Sequence, residues 1–146
     1  MKKVFLLSII VGSILFAANT QAQCPYFTKV VAGINGYSTL GIKSDSTLWA
    51  WGRNYSGQLG IGNTTDQNRP VQVGTDKWIA IAAGTYHSLG IKSDGTLWAW
   101  GYNGYGQLGI GNTTNQSSPV QVGTSSNNKS IAAGAHSLLI DRKSVV

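Results

Sequence analysis

"WAWGRNYSGQLGIGNTT" occupies Trp49–Thr65, and "WAWGYNGYGQLGIGNTT" occupies Trp98–Thr114, 49 residues later. The match is longer than these quotations. Trp49–Thr75 aligns with Trp98–Thr124 over 27 positions without a gap, and 21 of them are identical. Upstream, Gly41–Leu48 "GIKSDSTL" matches Gly90–Leu97 "GIKSDGTL". A partial third copy starts at Ile131, where "IAAGAHSLLID" echoes "IAAGTYHSLGIKSD" from Ile81. A period of this length marks an array of supersecondary units, none of which buries its apolar faces alone.

The local pattern within each unit is that of strands. Leu97, Ala99 and Gly101 fall on one side of an extended chain, with Trp98 and Trp100 on the other. "SDGT" at Ser93–Thr96 is a tight-turn signal, so Leu89–Trp100 reads as a hairpin. Pro70–Val73 and Pro119–Val122, both "PVQV", read as short strands opened by proline. Lys77–Gly84 "KWIAIAAG" reads as a fourth strand. Nineteen glycines and no glutamate speak against a helical repeat. The expected fold class is all-β. It is a partial propeller of about two blades plus the start of a third, with four short antiparallel strands per blade.

These residues carry a family resemblance. "AGTYHSLGIKSDGTLWAWGYNGYGQLGIGNTT" resembles the regulator of chromosome condensation repeat: Ala-Gly, a His near the strand start, Asp-Gly in the hairpin, Trp-Gly, then Asn-x-x-Gly-Gln-Leu-Gly-x-Gly. The resemblance spans Val30 to Asp141 and implies a seven-bladed propeller that binds partners rather than catalysing. The family's namesake exchanges nucleotide on a small nuclear GTPase, which gives guanine-nucleotide exchange as the alternative function. Seven blades need far more chain than these residues supply. Two blades and a stub leave two blade faces uncovered. At about 25 cal/mol per Å², several hundred Å² of uncovered apolar area forfeits on the order of 10 kcal/mol, comparable to the stability of a small domain. The expectation is therefore a fragment of a longer protein, or a chain that self-associates to complete a ring or else aggregates.

The first residues follow a different logic. Lys2-Lys3 precede an apolar run from Val4 to Ala18, and Thr20 and Ala22 are small. This is the layout of a secretory signal peptide over residues 1–22. The run is shorter than the roughly 20 residues that span a bilayer. Cleavage after Ala22 leaves residues 23–146 as the repeat domain, secreted or held at the cell envelope and not in the membrane. Gln23 before Cys24 speaks against a lipid anchor. Losing Lys2 and Lys3 lowers the net charge from +6 to +4. The remaining basic residues form no cluster beyond the pair Arg142-Lys143, so nucleic acid is not an expected partner. Cys24 is the only cysteine, so no internal disulfide forms.

The sequence offers little to catalysis. Gly104-Tyr105-Gly106-Gln107-Leu108-Gly109 fits G-x-G-x-x-G, but no helix signal follows and the first copy lacks it. Its glycines read as turn residues. His87 and His136 share one repeat position and read as structural. With no glutamate and one cysteine, a metal or paired-carboxylate site has almost nothing to use, and no cofactor is expected. The W-x-W pairs, Trp49/Trp51 and Trp98/Trp100, read as blade-to-blade packing. Three of the six pairs that differ between copies lie in the loop after Trp-Gly, where Arg53, Tyr55 and Ser56 stand against Tyr102, Gly104 and Tyr105; Asp66/Asn115, Asn68/Ser117 and Arg69/Ser118 are the others. Arg53, Tyr55, Ser56, Tyr102 and Tyr105 are therefore the candidate partner-binding residues. The expected function is an exported, non-enzymatic scaffold for a protein or glycan at the cell envelope.

Overall fold

A computed structural model describes residues 24–134 and the strand backbone at 137–141. The signal segment and His136 lie outside the described residues. The chain forms β1 (Phe27–Ala32), β2 (Ser38–Lys43), β3 (Thr47–Gly52), β4 (Gln67–Ala83), β5 (His87–Lys92), β6 (Leu97–Gly101), β7 (Gln116–Gln121), β8 (Asn128–Ala133) and β9 (Ser137–Asp141). A short 3-10 turn at Ile34–Gly36 links β1 to β2. Strands β1 to β7 pair antiparallel in sequence order, and β8 pairs with β9. The all-β partial propeller expected from the repeats is the fold observed.

The blades share a strand. The "PVQV" and "KWIAIAA" runs join end to end as β4, 17 residues long. Its first half pairs with β3, Gln72 opposite Trp49, and completes the first blade. Its second half pairs with β5, Ala82 opposite Leu89, and opens the second. Gly74, with φ of 58°, sits between the halves, where a residue without Cβ re-aims the backbone at little cost.

The hairpin turns are built by their aspartates. Asp94 Oδ1 accepts hydrogen bonds from the Thr96 amide (2.9 Å) and hydroxyl (2.6 Å). Thr96 Oγ1 in turn accepts from Trp98 Nε1 at 2.8 Å. Asp45, Thr47 and Trp49 repeat the arrangement at 3.0, 2.6 and 2.9 Å. Each turn needs one left-handed residue. Gly95 supplies it at φ 82°, whereas Ser46 is held there at φ 65°.

Packing explains the repetition. Leu40, Ile42, Leu48 and Ala50 of the first blade meet Trp78, Ile81, Ala83 and Trp100 of the second in one core. The second blade's other side, Ala82, Leu89, Ala99 and Leu108, meets Ile131 and Ala133 of β8. One face of each blade thus covers the opposite face of its predecessor. The tryptophans divide by layer. Trp78 and Trp100 are buried and meet edge to face at 5.7 Å. Trp49, Trp51 and Trp98 are only half-buried, against the expectation that both pairs are interior. Lysines cover two of these rings: Lys43 Nζ lies 3.6 Å from the Trp49 centroid and Lys92 Nζ 3.3 Å from that of Trp98.

Register aligns the three copies at the inner strand. Phe27 faces Lys43, Trp78 faces Lys92, and Asn128 faces Asp141. Asn128 fills the buried place of the missing third tryptophan and donates from Nδ2 to the Gly95 and Ser125 carbonyls at 2.9 and 3.0 Å. Among the described residues, no strand packs on the equivalent face of the first blade. Val30 is 53% exposed where its counterpart Ile81 is 6% exposed.

Candidate binding site at the loop end of the blades

The long loop after each Trp-Gly pair is organised by one buried asparagine. Asn54 Nδ2 donates to the Asn63 and Thr65 carbonyls at 2.9 and 3.0 Å, and its Oδ1 accepts from the Leu59 amide at 2.9 Å. Asn103 repeats this with Asn112, Thr114 and Leu108 at 2.8, 3.1 and 3.0 Å. The Asn54 amide donates to Asp66 Oδ1, and the Asn103 amide to Asn115 Oδ1, at 2.6 and 2.8 Å. The Asp-for-Asn difference between copies is therefore neutral in role, since both offer the same acceptor. Asn54 and Asn103 head the Asn-x-x-Gly-Gln-Leu-Gly-x-Gly stretch, but sequence reasoning assigned them no role. The signal was their invariance between copies beside a variable loop.

The same loops are anchored to the preceding strand entry. Arg53 N donates to the Tyr37 carbonyl at 2.6 Å, and Tyr102 N to the Tyr86 carbonyl at 2.7 Å. This fixes a row of rings along one end of both blades. The Arg53 guanidinium lies over Tyr37 at 4.4 Å and reaches Tyr55 at 5.7 Å. Tyr55 and Tyr86 meet edge-on at 5.6 Å, Tyr86 and Tyr102 at 6.4 Å, and Tyr102 and Tyr105 at 5.9 Å.

Tyr55, Tyr86, Tyr102 and Tyr105 wall a recess of about 520 Å³, within the size range of small-molecule sites. Ser56, Thr85, His87 and Gln107 also line it. Four of the five candidate residues meet here, from both copies. Arg53 stands beside the recess. Ser56 is buried, its amide donating to Gln58 Oε1 at 2.9 Å, so it supports the loop from below. Tyr86 was missed, although Tyr37 and Tyr86 share a repeat position 49 residues apart. His87 is also buried and lines the floor. Loss of water around the Tyr55 hydroxyl, and then its hydrogen bond with Tyr86, push that phenol up to about 12. It is neutral at physiological pH. Among the described residues, no group of three or more His, Cys, Asp or Glu is placed to hold a metal ion.

Four-stranded antiparallel sheets, packed face to face in series with their loops at one end, are blades of a β-propeller. The chain belongs to the family described as Regulator of chromosome condensation (RCC1) repeat, which matches residues 45–91 and 94–140. A second description of the same repeat matches 27–58 and 78–107. Over 35 residues the chain is 51% identical to the ultraviolet-B receptor UVR8 of Arabidopsis thaliana, covering 24% of this chain and 8% of the receptor. The fold is similar to that of human WBSCR16, with a TM-score of 0.71 and 21% identity over 80% of this chain and 31% of that one. It is also similar to yeast RCC1 (Prp20) solved bound to Kap60, with a TM-score of 0.69 and 23% identity over 80% of this chain and 30% of that one. The chain thus spans about a third of the length of these solved propellers. At these identities the likeness is one of fold.

Proposed function

We propose that this protein is an exported, non-enzymatic binding module whose ligand, a protein or glycan of the cell envelope, docks at the tyrosine-lined end of the blades. The observation that carries the reading is the convergence of Tyr55, Tyr86, Tyr102 and Tyr105 on one recess. The core is nearly constant between copies, and three of the six differing pairs, Arg53/Tyr102, Tyr55/Gly104 and Ser56/Tyr105, fall in the loops beside this recess. Tyrosine supplies large amphipathic contact area at low entropic cost. The relatives of this fold include a protein solved with Kap60, and a Saccharomyces cerevisiae structure described together with binding to Gsp1p and histones. Nucleotide exchange on a GTPase is supported by family membership alone, and the signal layout of residues 1–22 points outside the cell.

The test is fractionation of producing cells, with retention on envelope material as readout. The chain is expected in the exported fraction, beginning at Gln23. Retention is expected to fall in the Tyr86→Ala/Tyr105→Ala variant and to persist in Tyr26→Ala. A chain that keeps Met1 in the cytosol refutes export. Equal retention of all three proteins refutes the site.

The reading includes self-association. The open face of the first blade carries Phe27, Val30, Trp49 and Trp51, the counterparts of residues that the second blade packs against the Leu40–Leu48 face. In this reading a second copy covers that face with one of its own blade faces.

A further inference from the structure

We propose that the recess between Tyr55, Tyr86, Tyr102 and Tyr105 is a subsite for a neutral glycan chain; this rests on the reading that the recess is the binding site. Three observations favour that class. First, among the described residues the lining contains no Asp, Glu, Lys or Arg. The Arg53 guanidinium beside it is stacked on Tyr37 and lies near Tyr55. A charged ligand finds no counter-ion inside, whereas an uncharged one needs none.

Second, four backbone amides of the lining loops are already used. Those of Ser56 and Tyr105 donate to the Gln58 and Gln107 side chains at 2.9 and 3.0 Å. Those of Arg53 and Tyr102 donate to the Tyr37 and Tyr86 carbonyls. A peptide that binds by extending a sheet depends on such groups being open. Recognition here falls to rings and hydroxyls. Third, the rings are presented to solvent: Tyr105 is 85%, Tyr55 51% and Tyr86 37% exposed. Successive rings are turned by 60°, 79° and 76°. A stepped wall of amphipathic rings suits puckered sugar units. Their C–H faces lie on the rings, and their hydroxyls pair with the phenols and Thr85.

The experiment is calorimetric titration of the full exported chain with cellohexaose and chitohexaose, and separately with a proline-rich peptide. One or both neutral hexasaccharides are expected to bind, with affinity falling about tenfold or more in Tyr86→Ala and Tyr105→Ala. Tyr105→Ala removes a mostly solvent-exposed ring and leaves folding intact, which a matched thermal transition verifies. Tyr26→Ala, at the other end of β2, where the Tyr26 carbonyl accepts from the Ser44 amide, is expected to bind as the parent does. Absence of binding by both hexasaccharides up to about 1 mM, or binding indifferent to Tyr105→Ala, overturns the proposal. Tyr105-dependent binding of the peptide alone overturns the glycan and leaves the recess as the site.

Discussion

Trp100 Nε1 of the second blade donates to the backbone carbonyl of Gln58 in the first, at 3.0 Å. The same carbonyl accepts from Ser88 Oγ at 2.8 Å. Two side chains of one blade thus clasp the loop of its neighbour, and the loop that lines the recess is fixed by the blade-to-blade contact. Trp100→Phe keeps most of the ring and removes the donor. It is expected to cost about 1 kcal/mol in denaturant unfolding. Gly60→Ala is expected to be worse. Its Cβ would lie 2.7 Å from Trp100 Nε1, and Gly60 has φ of 74°. A Gly60→Ala midpoint equal to that of the parent refutes this account of the contact.

The asparagine networks give a paired expectation. Asn103→Ala leaves two carbonyls and one buried amide without their partner, and about 3 kcal/mol of stability is expected to be lost. Asn115→Asp, which copies Asp66 of the first loop, is expected to stay within about 0.5 kcal/mol of the parent. Thermal denaturation of the two variants side by side decides the matter. Similar losses in both contradict the acceptor role assigned to Oδ1.

The two hairpin turns respond oppositely to substitution. Ser46 is held in the left-handed region, so Ser46→Gly is expected to stabilise by up to about 1 kcal/mol. Gly95→Ser is expected to destabilise strongly, because its Cβ would run into the Ser126 carbonyl. Unfolding free energies that move in the same direction for both changes are incompatible with this reading.

Acid stability follows from the same turns. Hydrogen bonds from the Thr47 side chain and amide hold Asp45 below its ordinary value, and those from Thr96 do so for Asp94. A carboxyl with a depressed folded value releases its proton more readily folded than unfolded. Its contribution is complete above the ordinary aspartate value and is lost as pH falls through the folded one. The denaturation midpoint is expected to hold from neutrality to about pH 5 and to fall below about pH 4. The Asp45→Asn/Asp94→Asn double variant is expected to fall less steeply. Identical pH curves for parent and variant count against these two groups.

The open face of the first blade predicts concentration-dependent assembly. Val30→Lys places a charge on that face without touching the covered core, and it is expected to shift sedimentation toward smaller species. A parent that sediments as a sharply melting monomer at micromolar concentration shows that the uncovered face is tolerated and removes the proposed self-association.

The sequence by itself determined the blade. A repeat of 49 residues, period-two apolar alternation and Asp-Gly turns specify strands, because each is a local constraint that neighbours in the chain enforce. It also located the variable loops, so Tyr55, Tyr102 and Tyr105 were legible. Tertiary structure decided what these loops make together. Tyr55 and Tyr86 stand 31 positions apart and meet only because β4 passes from one blade into the next. Whether a tryptophan is interior was likewise not written locally. Trp51 and Trp100 occupy the same repeat position, yet Trp100 lies buried beneath the Gln58 loop while Trp51 is half-buried against Phe27. Burial is a property of what packs above a residue, and identical words in two copies meet different neighbours.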